Sequence, residues 1–154
     1  MQKIIRHCTL IMLVCLCAGS SMQALAAPQI MSAPEAQAAI KAGEMFLLDI
    51  RSEEEWKEDG IAEGAFPVSM HKDDFGQHLN KILGQIGDKK LGLICATGGR
   101  TQYVASILER NGIKNLVDVS ESMHGNARGP GWIKRKLPLV SMEEAQKHYA
   151  EVVK

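Results

Sequence analysis

Leu91-Gly92-Leu93-Ile94-Cys95-Ala96-Thr97-Gly98-Gly99-Arg100-Thr101 runs from an apolar segment, through two adjacent glycines, into a stripe of Tyr103, Val104, Ile107 and Leu108. An apolar run without polar alternation suits a strand covered on both faces. The stripe has helical spacing, and Asn111-Gly112 supplies its stop. The stretch therefore reads as strand, tight turn, helix. The same order recurs on either side. Phe46 to Ile50 is a second strand, Leu116 to Val119 a third, and Ala65 to Met70 a weaker fourth. Capping boxes at Ser32/Glu35, Ser52/Glu55 and Ser141/Glu144 start helices, since each Ser can accept an early N–H while its Glu reaches back. Phe75, Leu79, Ile82, Leu83 and Ile86 share one face of another helix. This alternation implies one α/β domain: a central parallel sheet of about five strands, with helices on both faces through right-handed crossovers. Sites in such sheets form beyond the carboxyl ends of the strands. Asp49-Ile50-Arg51, Cys95 and Asp118 all fall there.

The turn after Cys95 carries the chemistry. Gly98 and Gly99 permit positive φ, so the chain can curl until successive N–H groups point inward as an anion-sized nest. The helix that follows adds its positive end. Both effects favour a thiolate over a thiol at Cys95. Arg100 contributes a permanent positive charge, and a cation at a helix N-terminus suggests an anion nearby. The competing interpretation is a small buried hydrophobe at a strand end, the common fate of a free Cys.

Residues 1–27 stand apart. Lys3 and Arg6 form a basic start, Leu10 to Ala18 is uncharged and apolar, and Ala24-Leu25-Ala26 is a small-x-small cleavage pattern. This is the layout of a signal peptide, too short in its apolar part to span a bilayer, which needs roughly 20 residues. Cleavage after Ala26 or Ala27 leaves a domain over 28–140 and a C-terminal helix over 141–154. It implies export to a periplasm with no stable membrane insertion. Cys8, Cys15 and Cys17 leave with the leader, so Cys95 stays alone and no disulfide framework remains. Lys3 and Arg6 leave too, which turns a balance of 18 basic and 18 acidic residues into 16 against 18. With no basic excess and only 5% aromatic residues, nucleic acid is not an expected partner.

These segments together resemble the rhodanese family of sulfurtransferases over roughly Pro34 to Leu139. Leu47-Leu48-Asp49-Ile50-Arg51-Ser52 with Glu55-Trp56 is similar to the family's first signature. Gly60-Ile61-Ala62-Glu63-Gly64-Ala65 is similar to its second, with the usual His missing and Glu63 intervening. Cys95 to Arg100 matches the active-site loop. Gly129-Pro130-Gly131-Trp132 and Leu137-Pro138 resemble the terminal segment, with Lys136 where Gly is usual. The resemblance implies a single rhodanese-like domain in which Cys95 accepts a sulfur atom as a persulfide and passes it on. The N–H groups of Ala96, Thr97, Gly98, Gly99 and Arg100 would hold that sulfur, and Arg100 would steady the anion and anchor the loop. Asp49 and Arg51 would be a structural pair at the strand end, Asp118 a loop brace, and Trp56 and Trp132 packing residues. The expected partners are a small donor such as thiosulfate, a persulfide or a polysulfide, and a thiol, cyanide or protein acceptor. The alternative is a non-enzymatic persulfide carrier or binding module serving a dedicated partner. Four residues separate Cys95 from Arg100, as in sulfurtransferases; related phosphatases and arsenate reductases have one more.

The remaining histidines, His71, His78, His124 and His148, are scattered and form no metal motif, so neither metal nor cofactor is expected. No general acid stands beside the loop in sequence. His124 and Arg128 belong to a loop expected over the same sheet edge, either near substrate or simply in solvent. The last helix, with Ala145, Tyr149 and Val152 or Val153, is expected to pack on the domain.

Overall fold

The protein, seen here as a computed structural model, is described over residues 27–154. The leader read in residues 1–27 lies outside the described residues except for Ala27. Strand β1 (Gln29–Met31) is followed by α1 (Ala33–Lys41), β2 (Met45–Asp49), α2 (Glu53–Asp59), β3 (Ile61–Ala62) and β4 (Ala65–Pro67). Then come α3 (Phe75–Leu83), β5 (Lys90–Ile94), α4 (Gly99–Arg110), β6 (Leu116–Val119), α5 (Gly131–Lys134), β7 (Leu139–Val140) and α6 (Met142–Val152). Five strands make one sheet in the order β1-β6-β5-β2-β4, every pairing parallel. β3 and β7 form a short antiparallel ribbon.

Strand periodicity explains the two cores. Leu48 and Ile50 of the β2 segment, with Leu91, Leu93 and Cys95 of the β5 segment, face α3 and α4 and pack with Leu79, Ile82, Val104 and Leu108. Leu47 and Ile94 face the other way and join Ala33, Ala36, Trp56, Val117 and Trp132. Each fully buried Leu or Ile adds about 1.5–3 kcal/mol over exposure, which is why these runs show no polar alternation. Cys95 thus continues the Leu91–Leu93 row at the carboxyl end of the central strand.

All three capping boxes form. In α2, Glu55 N–H donates to Ser52 Oγ (3.4 Å) and Ser52 N–H donates to Glu55 Oε2 (2.9 Å). The weak strand ends early, at Pro67, which has no N–H to donate. Val68 and Met70 still donate to the carbonyls of Asp49 and Ile50. The helix expected to reach Ile86 closes at Leu83, and Gly84 is its cap. Tyr103, expected in the apolar stripe of α4, is 60% exposed, because α4 is covered by the sheet on only one side. β1, the β3–β7 ribbon and α5 are too short to show a period. The C-terminal helix packs on β4: Tyr149 meets Phe66 edge-on at 5.5 Å, and Ala145 and Val153 are buried. Among the described residues no helix is long and apolar enough to cross a membrane.

Candidate active site

β5 delivers Cys95 to the carboxyl edge of the sheet, and the turn after it folds back over the sulfur. Gly98 has φ +105°, a conformation L side chains rarely adopt, and its N–H donates to Cys95 Sγ at 3.1 Å. Of the five amides expected around the sulfur, this one is aimed at Sγ. The N–H groups of Ala96, Thr97, Gly99 and Arg100 donate to no acceptor among the described residues. The residue itself is only 1% exposed.

Long-range contacts hold the turn. The segment after β6 lies alongside it: Met123 N–H donates to Cys95 O and His124 N–H to Ala96 O, both at 2.9 Å. Asn126 Nδ2 donates to Thr97 O (2.9 Å) and Ser120 O (2.8 Å), so a Cβ on Gly98 would sit 3.3 Å from it. Thr101 Oγ1 lies 2.7 Å from Gly98 O and 3.0 Å from Asp118 Oδ1. Arg128 Nη1 donates to Asp118 Oδ2 at 3.2 Å. Asp118 is therefore a brace, and the Arg128 guanidinium is turned to it. Ser122, with φ +59°, is fully buried beside Gly98, and its Oγ has no partner among the described residues.

Arg100 has its own anion, and it is protein. Nη1 and Nη2 donate to Glu55 Oε2 (2.6 Å) and Oε1 (2.5 Å), a two-pronged pair. Those bonds hold the Glu55 carboxyl down to about 2, against burial that pushes it up, with help from Ser52 N–H and the Arg51 charge. The Arg100 guanidinium is correspondingly raised, first by Glu55 and less by the Cys95 sulfur. His71 Nε2 lies 3.4 Å from Arg100 Nη1. The sequence offered Glu55 as a capping residue and as part of the first signature, with no link to Arg100, and placed His71 nowhere near the loop. Both approach Arg100 across the fold, 45 and 29 residues away in the chain.

At the end of the neighbouring strand β2, Asp49 and Arg51 are both fully buried. Arg51 Nε and Nη2 donate to Asp49 (3.0 and 2.7 Å), Nη1 to Asp59 Oδ2 (3.0 Å), and Nη2 also to Gly60 O (2.7 Å). His124 Nε2 is 3.0 Å from the same Asp59 oxygen, so this side chain is held against the C-terminus of α2. His78, scattered by sequence, pairs with Asp74 (3.4 Å) and Tyr149 Oη (2.7 Å), away from the loop. Among the described residues no group of three or more His, Cys, Asp or Glu side chains is arranged to hold a metal ion.

The fold is thus a parallel α/β sheet whose central strand ends in a buried thiol under a glycine turn. A family model, the rhodanese-like domain, matches residues 32–126, and the chain belongs to that family. It is 28% identical over 99 residues to the uncharacterized protein RP600 of Rickettsia prowazekii (strain Madrid E), spanning 60% of this chain and 80% of that one. The crystal structure of a rhodanese-related protein from Thermoplasma volcanium is similar at 27% identity and TM-score 0.54, over 73% of this chain and 97% of the other. Rv0390 from M. tuberculosis shares the fold at 19% identity and TM-score 0.56, over 75% and 98%.

Proposed function

We propose that the protein is a sulfurtransferase that moves sulfane sulfur from a donor such as thiosulfate or a persulfide to a thiol or cyanide, through a persulfide on Cys95. One observation carries the proposal. The Sγ at the end of the central strand receives the Gly98 N–H at 3.1 Å, with Arg100 beside it and neighbouring amides left without acceptors. In the first step the Cys95 thiolate attacks the outer sulfur of thiosulfate. The donor's S–S bond breaks, its electron pair leaves on sulfite, and Cys95 keeps the sulfur. In the second step cyanide or a thiol takes that sulfur and the electron pair returns to Sγ. The amides of Ala96, Thr97, Gly98, Gly99 and Arg100 would bind the extra sulfur. Asp49 and Arg51 support the strand end. Export to a periplasm belongs to the same proposal and rests on residues 1–27 alone.

Treatment with thiosulfate or an organic persulfide should add one sulfur mass to the Cys95 peptide, removable by reductant. Cyanide should then give thiocyanate, and Cys95→Ser should abolish both. Thiocyanate formation unchanged by that substitution would remove Cys95 from the mechanism. The low exposure of Cys95 favours a second reading, a persulfide carrier unloaded only by a dedicated protein that opens the turn. In that case loading occurs, but small acceptors do not discharge it.

A further inference from the structure

We infer that Asn126 is a positioning residue for sulfur transfer: by holding the Thr97 carbonyl it aims the Gly98 N–H of the same peptide at Cys95 Sγ; this role rests on the sulfurtransferase reading above. In a trans peptide the C=O and the N–H point in opposite directions across one plane. A carbonyl held from one side therefore sends the next residue's N–H to the other. Four successive carbonyls of the turn are held in this way, on the planes that carry the N–H groups of Ala96, Thr97, Gly98 and Gly99. Cys95 O accepts Met123 N–H and Ala96 O accepts His124 N–H, both at 2.9 Å. Thr97 O accepts from Asn126 Nδ2 at 2.9 Å. Gly98 O accepts Gln102 N–H at 3.2 Å and lies 2.7 Å from Thr101 Oγ1. For the Thr97–Gly98 plane both ends are engaged, with Asn126 on the oxygen and Cys95 Sγ 3.1 Å from the nitrogen.

This plane is also the one most free to turn over. Flipping a peptide changes ψ of the residue before it and φ of the residue after it, and glycine accepts either sign of φ. Gly98 stands at φ +105°. Its own chain therefore does little to stop the N–H from swinging off the sulfur. The Cys95 and Ala96 carbonyls are tied by main-chain amides, which no substitution removes, and the Gly98 carbonyl is tied by the first turn of α4. The Thr97 carbonyl depends on a side chain 29 residues away.

The residue type fits the task. Asn126 Nδ2 donates to Ser120 O as well, at 2.8 Å, just past the end of β6, and Oδ1 accepts Arg128 N–H at 2.8 Å. Two carbonyls and one N–H thus fix which end of the amide faces the turn. The main chain of Asn126 is set by exchange with Gly129, N–H to O in both directions (2.9 and 3.2 Å). An Asp at this position would set a second oxygen against two carbonyl oxygens.

The test follows the amide itself. In the wild type, the Gly98 N–H resonance in nitrogen–proton NMR spectra should move when Cys95 is replaced by Ser, and again when Cys95 is loaded with sulfur. In Asn126→Asp that resonance should lose its response to both changes, while resonances of Leu47 and Val117 in the core stay where they were. Sulfur uptake, read from the mass of the Cys95 peptide, should slow about 10-fold, less than the 10²–10³ for outright loss of an oxyanion donor, because Gly98 keeps its N–H and loses its aim. Asn126→Ala, which removes both donors without adding a charge, should behave alike and serves if the Asp variant does not fold. A Gly98 resonance that tracks the sulfur in these variants as it does in the wild type, or uptake at the wild-type rate, would overturn the assignment. A wild type that takes up no sulfur from any donor would instead overturn the sulfurtransferase reading; the response of Gly98 to Cys95→Ser would still report whether Asn126 aims the amide.

Discussion

Two adjacent strands of the sheet end in opposite ways. At the end of β2, Arg51 is sealed from solvent and saturated: two carboxylates and a carbonyl take its donors within 3.1 Å. At the end of β5, the turn after Cys95 leaves amides without acceptors, and the hydroxyl of Ser122 has none either. A buried polar group without a partner costs roughly 1–3 kcal/mol, which applies to Ser122 Oγ, whereas Thr97 and Gly99 are exposed and their amides stay open to solvent. Charges packed side by side hold a strand end still. A curled turn with open backbone amides keeps its donors available to solvent or an anion.

The largest effect should come from breaking the saturated end. Arg51→Met leaves Asp49 buried without its partner, and a loss of about 3–5 kcal/mol in denaturant unfolding is expected. Sulfur uptake by the fraction that stays folded should persist. A stability change under about 1 kcal/mol would mean that the pair does not organise the edge.

Gly98→Ala should reverse the pattern. Forcing a Cβ into φ +105° costs about 1–2 kcal/mol, and the Cβ also presses on Asn126. Sulfur uptake, measured by mass, should fall far more than thermal stability does. Uptake at the wild-type rate would show that the Gly98 amide is not part of the cradle.

Asn126→Ala should cost about 1 kcal/mol, the scale of hydrogen bonds to Thr97 O and Ser120 O, because the residue is exposed. It sharpens the contrast if persulfide loss in buffer quickens while the melting curve barely moves.

The smallest effect is a pH slope. Glu55 is held at about 2 in the folded protein, below its usual value, so its contribution to stability is complete above the ordinary carboxylate range. That contribution is lost as pH falls toward 2. Glu55→Gln should flatten the dependence of unfolding free energy on pH between about pH 4.5 and 2. An unchanged slope would mean that the Arg100–Glu55 pair is not retained in solution.

The turn over Cys95 was legible in the sequence because it is written in consecutive residues. Cys95, Gly98 and Arg100 sit in one turn, and glycine's freedom at Gly98 is a local property. The four principal strands were legible for the same reason, since burial on both faces leaves a plain apolar run. What joins the turn to the rest was not. Glu55 had already been spent, in the sequence, as the third residue of a capping box, and nothing local says that its oxygens also reach α4. Tyr103 has the right spacing for a core stripe, yet packing covers only part of that helix.

Local spacing, then, determined the class of fold, the strand end that bears the sulfur, and the turn that curls around it. Only the tertiary structure decided which side chains surround that turn. It turned Arg100 to Glu55, laid Asn126 across Thr97, brought His71 to Arg100, and left Gly98 as the amide that reaches Sγ. Such pairings depend on where crossovers set down residues dozens of positions apart, and no period or spacing in a single chain encodes that distance.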